Sequence, residues 1–107
     1  MSGYLQVFVT VEKREEAERI AGRLLGERLA ACVQIIGPVR STYWWRGNIE
    51  SSEEWLCLLK TREDLYDDLE ETVRNIHSYE VPEILALPIV RGNPDYLKWL
   101  TEETRGG

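Results

Sequence analysis

Apolar and polar residues alternate through "YLQVFVTV", Tyr4–Val11. A period of two over β-branched residues predicts a half-buried strand. The period then lengthens. In "REEAERIAGRLLGERLA", residues 14–30, Ala17, Ile20, Ala21, Leu24, Leu25 and Leu29 recur at helical spacing with charges on the other face, which predicts a helix. "CVQIIGPVRSTYWW", Cys32–Trp45, reads as a second strand with a bulge or bend at Gly37-Pro38. Arg46-Gly47-Asn48 is a turn signal, and Ile49–Thr61 is the strand that returns from it. Thr61 is placed to cap a second helix, whose stripe is Leu65, Leu69, Thr72, Val73 and Ile76. Acidic residues load its first turns, at the positive end of the helix dipole. Pro82–Val90 predicts a fourth strand, at an edge because Pro88 cannot donate to a ladder. Asn93-Pro94 then starts a short last helix carrying Tyr96, Leu97, Trp99 and Leu100.

The order β-α-β-β-α-β plus a C-terminal helix is the α+β, ferredoxin-like pattern, with both main helices on one face of an antiparallel sheet. The chain has 107 residues and no internal repeat or linker, so residues 1–107 are expected to form one domain. Two features of the pattern need a partner. Both faces of the strands are apolar: Trp55, Cys57 and Leu59 alternate with Leu56 and Leu58, Ile84 and Ala86 with Leu85 and Leu87, and Leu5, Val7 and Val9 oppose Tyr4 and Phe8. Helices cover only one of those faces, which leaves a large apolar patch. The second strand also reaches about 45 Å at about 3.3 Å per residue, against a diameter of roughly 34 Å for a compact chain of this size. The hairpin should overhang by about 10 Å, with Tyr43, Trp44 and Trp45 at its tip. A lone two-stranded ribbon is marginal in water. Another copy that receives the ribbon and buries the open face resolves both, so Tyr43, Trp44, Trp45 and Trp55 are the expected interface residues.

Composition narrows the function. Thirteen basic against nineteen acidic residues give a net charge of −6, which argues against a general nucleic-acid binder or an anionic-membrane binder. No apolar run is long enough to span a bilayer. The N-terminus lacks the basic n-region and cleavage site of a signal peptide. Cys32 and Cys57 lie in apolar segments and read as reduced thiols. The expected compartment is therefore the cytoplasm.

The only histidine, His77, precedes Glu80 and Glu83. Imidazole with carboxylates suits a borderline divalent ion such as copper(II) or zinc, so His77, Glu80 and Glu83 form a candidate labile metal site. The competing reading is a helix-terminal histidine bonded locally. Tyr79, Glu83 and Lys60 are candidates for lining a cleft between subunits. Lys60 and Arg62 either attract an anion there or are solvated charges. The acidic run "REDLYDDLEE" lacks EF-hand spacing and reads as a solvated helix face. No nucleophile elbow or P-loop occurs, and an enzyme is not expected. No cofactor is obligatory.

"ERLAACVQIIGPVRSTYWWRGNIE" and "HSYEVPEILALPIVRGNPDYLKWL" closely resemble the CutA family, the divalent-cation tolerance proteins, from about Phe8 to Leu100. The carrying motifs are R-L-A-A-C-V, the W-x-G-x-I turn and H-x-Y-x-x-P-E. The resemblance implies an interlocked homotrimer like that of the PII-type signalling proteins. It also implies a link to copper and heavy-metal tolerance and, in animals, to anchoring of acetylcholinesterase. Some relatives place a cysteine, proposed as a metal ligand, in strand one; here Val9 stands near that position. "IIGPV" reverses the more usual Pro-Gly order. The leading function is a divalent-cation tolerance trimer with weak metal binding. The alternative is a PII-like module holding a small ligand or partner protein in intersubunit clefts.

Overall fold

The computed structural model describes residues 3–107. Strand β1 is Tyr4–Val11, helix α1 is Arg14–Gly26, and strands β2 and β3 are Cys32–Trp45 and Asn48–Arg62. A 3-10 turn, Glu63–Leu65, leads into α2, Tyr66–Ile76; β4 is Ile84–Ile89 and α3 is Pro94–Glu102. The sheet order is β2-β3-β1-β4, with every neighbouring pair antiparallel. This is the ferredoxin-like arrangement read from the sequence.

The alternation in β1 sends Leu5, Val7 and Val9 into the core, where Cys57 and Leu59 of β3 join them. Ala17, Ile20 and Leu24 of α1 and Leu69 and Val73 of α2 close that layer. On the opposite face Phe8 pairs with Leu58 and Leu85. Leu85 and Leu87 lie more than half exposed there, and Ile36 nearly so. Helix α3 covers one end of this second face: the Tyr4 hydroxyl shares a 2.7 Å hydrogen bond with Thr101 Oγ1, and Leu100 is buried. Asn93 accepts from the Asp95 N–H and Pro94 opens α3, as the sequence implied.

Three expectations need correction. The first helix ends at Gly26, not near Ala30. Arg28 turns left-handed at φ 55°. The Arg28 N–H bonds the Leu25 carbonyl and the Leu29 N–H bonds the Leu24 carbonyl, which is the Schellman stop. Leu29 and Ala30 are still buried, but as loop residues. Thr61 does not cap α2. It is the penultimate residue of β3, fully buried, with Oγ1 donating to the Leu29 carbonyl at 2.6 Å. The fourth strand is shorter than Pro82–Val90, and as expected it lies at an edge.

The hairpin overhangs further than the strand arithmetic implied. The last β1–β3 pair is Val11 with Trp55, yet β2 and β3 stay paired from Val39–Glu54 to Trp45–Asn48. Seven residues of each strand therefore form a ribbon with no third strand beside it among the described residues, about 23 Å long at about 3.3 Å per residue. The molecule measures 44 × 26 × 22 Å as a result. Arg46 and Gly47 both take positive φ, 50° and 85°, the geometry of a tight two-residue hairpin turn.

At the ribbon's root the register shifts between Ile36 and Val39, and the Trp55 indole lies against Gly37. A Cβ on Gly37 would stand 2.4 Å from the ring. Gly37→Ala must therefore push Trp55 out of its place on the core. The expected cost is about 1–3 kcal/mol of folding stability, read as a lower urea midpoint; an unchanged midpoint would show that the ring is free to move.

Candidate functional site

The ribbon leans over the loop that joins α2 to β4, and the two enclose a cleft of about 690 Å³. Strand alternation decides what faces it. Tyr43 and Trp45 line the cleft with Glu54 from the facing strand, while Trp44, 71% exposed, and its cross-strand partner Ile49, 64% exposed, point the other way. The loop contributes Ser78, Tyr79, Glu80, Val81 and Glu83, and β1 contributes Thr10.

A buried network holds the loop in place, and His77 is its centre. The imidazole side chain is wholly inaccessible. Its Nδ1 accepts the Tyr79 N–H at 3.0 Å, which leaves the proton on Nε2 to be donated to the Thr10 carbonyl at 2.7 Å. Glu16 of α1, also buried, accepts from the Ser78 N–H at 2.8 Å and from Ser78 Oγ at 2.9 Å. The Tyr79 ring lies 4.9 Å from the His77 ring, and its hydroxyl donates to Glu54 Oε2 at 2.8 Å. Burial, reinforced by the Glu54 carboxylate, pushes the Tyr79 hydroxyl well above the usual phenol range, so it stays a donor. Thr10 Oγ1 donates to Glu83 Oε1 at 3.4 Å.

This geometry revises the metal set. His77 has both ring nitrogens committed to backbone groups, so it offers no lone pair to an ion beside Glu80 and Glu83. Among the described residues no three His, Cys, Asp or Glu side chains are grouped to hold a metal ion. Cys57 supplies no thiolate either: burial, with Glu16 nearby, pushes its thiol up to about 11. Lys60 also stands apart from Tyr79 and Glu83 within the chain. It pairs with Gln6 and Cys32 and donates to Gln34 Oε1, about 20 Å along β3 from Glu54. Arg62 is occupied by Asp64, Thr104 and the Arg105 carbonyl rather than by an open anion site. Trp55 packs on its own core, with the Arg14 guanidinium 5.8 Å from its ring centre.

Sequence reasoning missed Glu54, Glu16 and Arg46. Glu54 falls two residues from Ser52 on the same face of the ribbon as Tyr43, so β alternation held a signal for it. Glu16 sits on the charged side of α1, where nothing distinguishes it from its exposed neighbours. Arg46 was read only as a turn residue, yet its guanidinium lies 5.1 Å from the Trp45 ring centre and 3.5 Å from Glu80 Oε1.

A ferredoxin-like sheet with an overlong projecting hairpin and a C-terminal helix defines a class of small α+β proteins with one sheet face left open. Within that class the chain belongs to the CutA1 divalent ion tolerance family, whose model matches residues 5–103. It is 48% identical over 99 residues to a chloroplastic CutA 1 protein of rice (Oryza sativa), covering 92% of this chain and 56% of the relative. A chloroplastic CutA of Arabidopsis thaliana is 44% identical, with 92% of this chain and 54% of the relative covered. The chain thus spans about half the length of these plant relatives. The divalent-cation tolerance protein CutA of Thermus thermophilus is 47% identical over 98 residues, covering 92% of this chain and 95% of that one. Among solved structures, rice CutA1 superposes with a TM-score of 0.95 at 46% identity, covering 98% and 96% of the two chains. A periplasmic divalent cation tolerance protein CutA of Archaeoglobus fulgidus gives 0.91 at 42%, covering 94% and 97%. The Thermus and Archaeoglobus relatives are named for divalent-cation tolerance, not for a catalysed reaction. The relatives also correct the expected compartment: chloroplastic and periplasmic members conflict with the cytoplasmic assignment. Reduced thiols and net charge do not set a compartment for this fold.

Proposed function

We propose that the chain works as a non-enzymatic homotrimer of the divalent-cation tolerance type, and that the cleft beneath the ribbon holds a cation weakly. The observation that carries this reading is the ribbon. It leaves the chain's own core, exposes Trp44 and Ile49 on one side and walls an acidic, aromatic cleft on the other. Large exposed apolar surface beside an open sheet face suits burial against further copies. Three is the number of copies that the resemblance to the CutA family implies. Glu80 and Glu83 offer a divalent ion weak carboxylate contacts rather than a closed coordination shell, and His77 acts as the brace that shapes the loop carrying them.

Thermal melting with added copper(II) tests the metal part. A ligand that binds only the folded state raises apparent stability. The wild type is expected to gain a few degrees, and Glu80→Gln with Glu83→Gln to lose most of that gain. An equal gain in both proteins would remove the cleft from metal binding. The PII-like reading, a regulatory module with a small ligand in the cleft, is favoured by the aromatic lining of Tyr43, Trp45 and Tyr79, which an inorganic ion does not use.

A further inference from the structure

Three features of the cleft together narrow the cation it suits. The first is Glu54. The residue is only 6% exposed, and Oε2 takes the Tyr79 hydroxyl. Oε1 has no hydrogen-bond partner among the described residues, yet no fully enclosed side-chain oxygen is left unpaired. That oxygen therefore keeps some solvent access, in a residue that lines the cleft. A carboxylate largely withdrawn from water with one oxygen free binds a cationic donor strongly.

The second feature is the chain's own cation at the rim. Arg46 lies over the Trp45 ring and reaches Glu80, with both charged side chains about three-quarters exposed. A guanidinium on an indole face with a carboxylate at its edge is a recognition mode for organic cations. Because the pair is so exposed, a ligand of the same chemistry can displace it. The third feature is what the lining omits. No lysine or arginine lines the cleft beside Glu54, Glu80 and Glu83, which disfavours anions. The carboxylates are not grouped as a metal shell, and an organic cation requires no coordination polyhedron. The volume is that of a small-molecule site.

We propose that the cleft takes a small organic cation, a guanidinium or alkylammonium compound, held between the free Glu54 oxygen and the Trp45 ring. This rests on the reading of the cleft as a cation site and names a ligand class for it.

Calorimetric titration of the full-length, assembled protein with agmatine tests the proposal, with N-butylurea as the neutral comparator. Saturable binding of agmatine and none of butylurea is expected. Glu54→Gln, which keeps an acceptor for the Tyr79 hydroxyl, should weaken agmatine by about tenfold or more, the loss of one charge-assisted contact. Arg46→Ala should tighten it, because the competing guanidinium is gone. No saturable binding, equal binding of butylurea, no loss in Glu54→Gln or no gain in Arg46→Ala overturns the proposal. The mass and melting of each variant are measured alongside, so misfolding is separated from lost contact. If Glu54→Gln does not fold, butylurea and Arg46→Ala still decide. A copper(II) titration separates the two levels: copper bound at the cleft without agmatine defeats the organic-cation inference alone, and neither bound defeats the cation-site reading with it.

Discussion

A chain carrying Trp44→Ala and Ile49→Ala is expected to fold and to fail to assemble. The two side chains face each other across the ribbon and lie mostly in solvent within their own subunit, so removing them takes little from the monomer's core. Their proposed place is an interface between copies. There a buried aromatic contributes roughly 3 kcal/mol or more, and each 1.4 kcal/mol is about tenfold in a dissociation constant. Every subunit carries the same pair, so the loss repeats at every symmetric contact. Size-exclusion chromatography with light scattering should show monomer at concentrations where the wild type is assembled. Tyr43 and Trp45 should matter less for assembly, since they face the cleft. A double variant that assembles as the wild type does would assign the clasp to other residues.

The second large effect concerns His77. His77→Ala should lower folding stability by about 3 kcal/mol, and copper(II) affinity should fall only through the loosened loop that carries Glu80 and Glu83. The change strands the Thr10 carbonyl and the Tyr79 N–H in the interior, and each unpaired buried backbone group costs about 1–3 kcal/mol. It also removes the ring against which Tyr79 packs. The consequence reaches the cleft, because Tyr79 positions the deep carboxylate Glu54 through its hydroxyl. His77→Gln, which retains a donor amide and an acceptor oxygen, should recover part of the stability. Urea unfolding and calorimetry on the same preparations distinguish the roles. Unchanged stability with lost copper binding would make His77 a ligand after all.

Much of the fold was legible because burial in a sheet is written at a period of two. Leu5, Val7 and Val9 declare the first strand and its inward face, and the second row, Phe8 with Leu56, Leu58, Leu85 and Leu87, declares the open face. What stayed hidden has local causes. Helix α1 stops at a left-handed arginine, Arg28, where sequence signals look for glycine. Thr61 has the identity of a cap but the position of a strand residue, and only the distant Leu29 carbonyl explains its hydroxyl. The cleft was half visible. Tyr79 and Glu83 are expected at a cleft between subunits and Trp45 at an interface, whereas one chain's own ribbon and loop bring the three together. His77 drew attention as the single histidine, yet one of its partners is the Thr10 carbonyl, 67 positions away in the chain. No spacing rule reveals a backbone acceptor at that distance. Lys60, a candidate for the same cleft as Tyr79, is placed by the register toward the other end of β3.

The ribbon and the open face are the basis of the proposed assembly of identical chains, and native mass spectrometry of the wild type measures that assembly directly. At low micromolar concentration the expected species has three times the mass of the 12.4 kDa chain. A single 12.4 kDa species under the same conditions would contradict it.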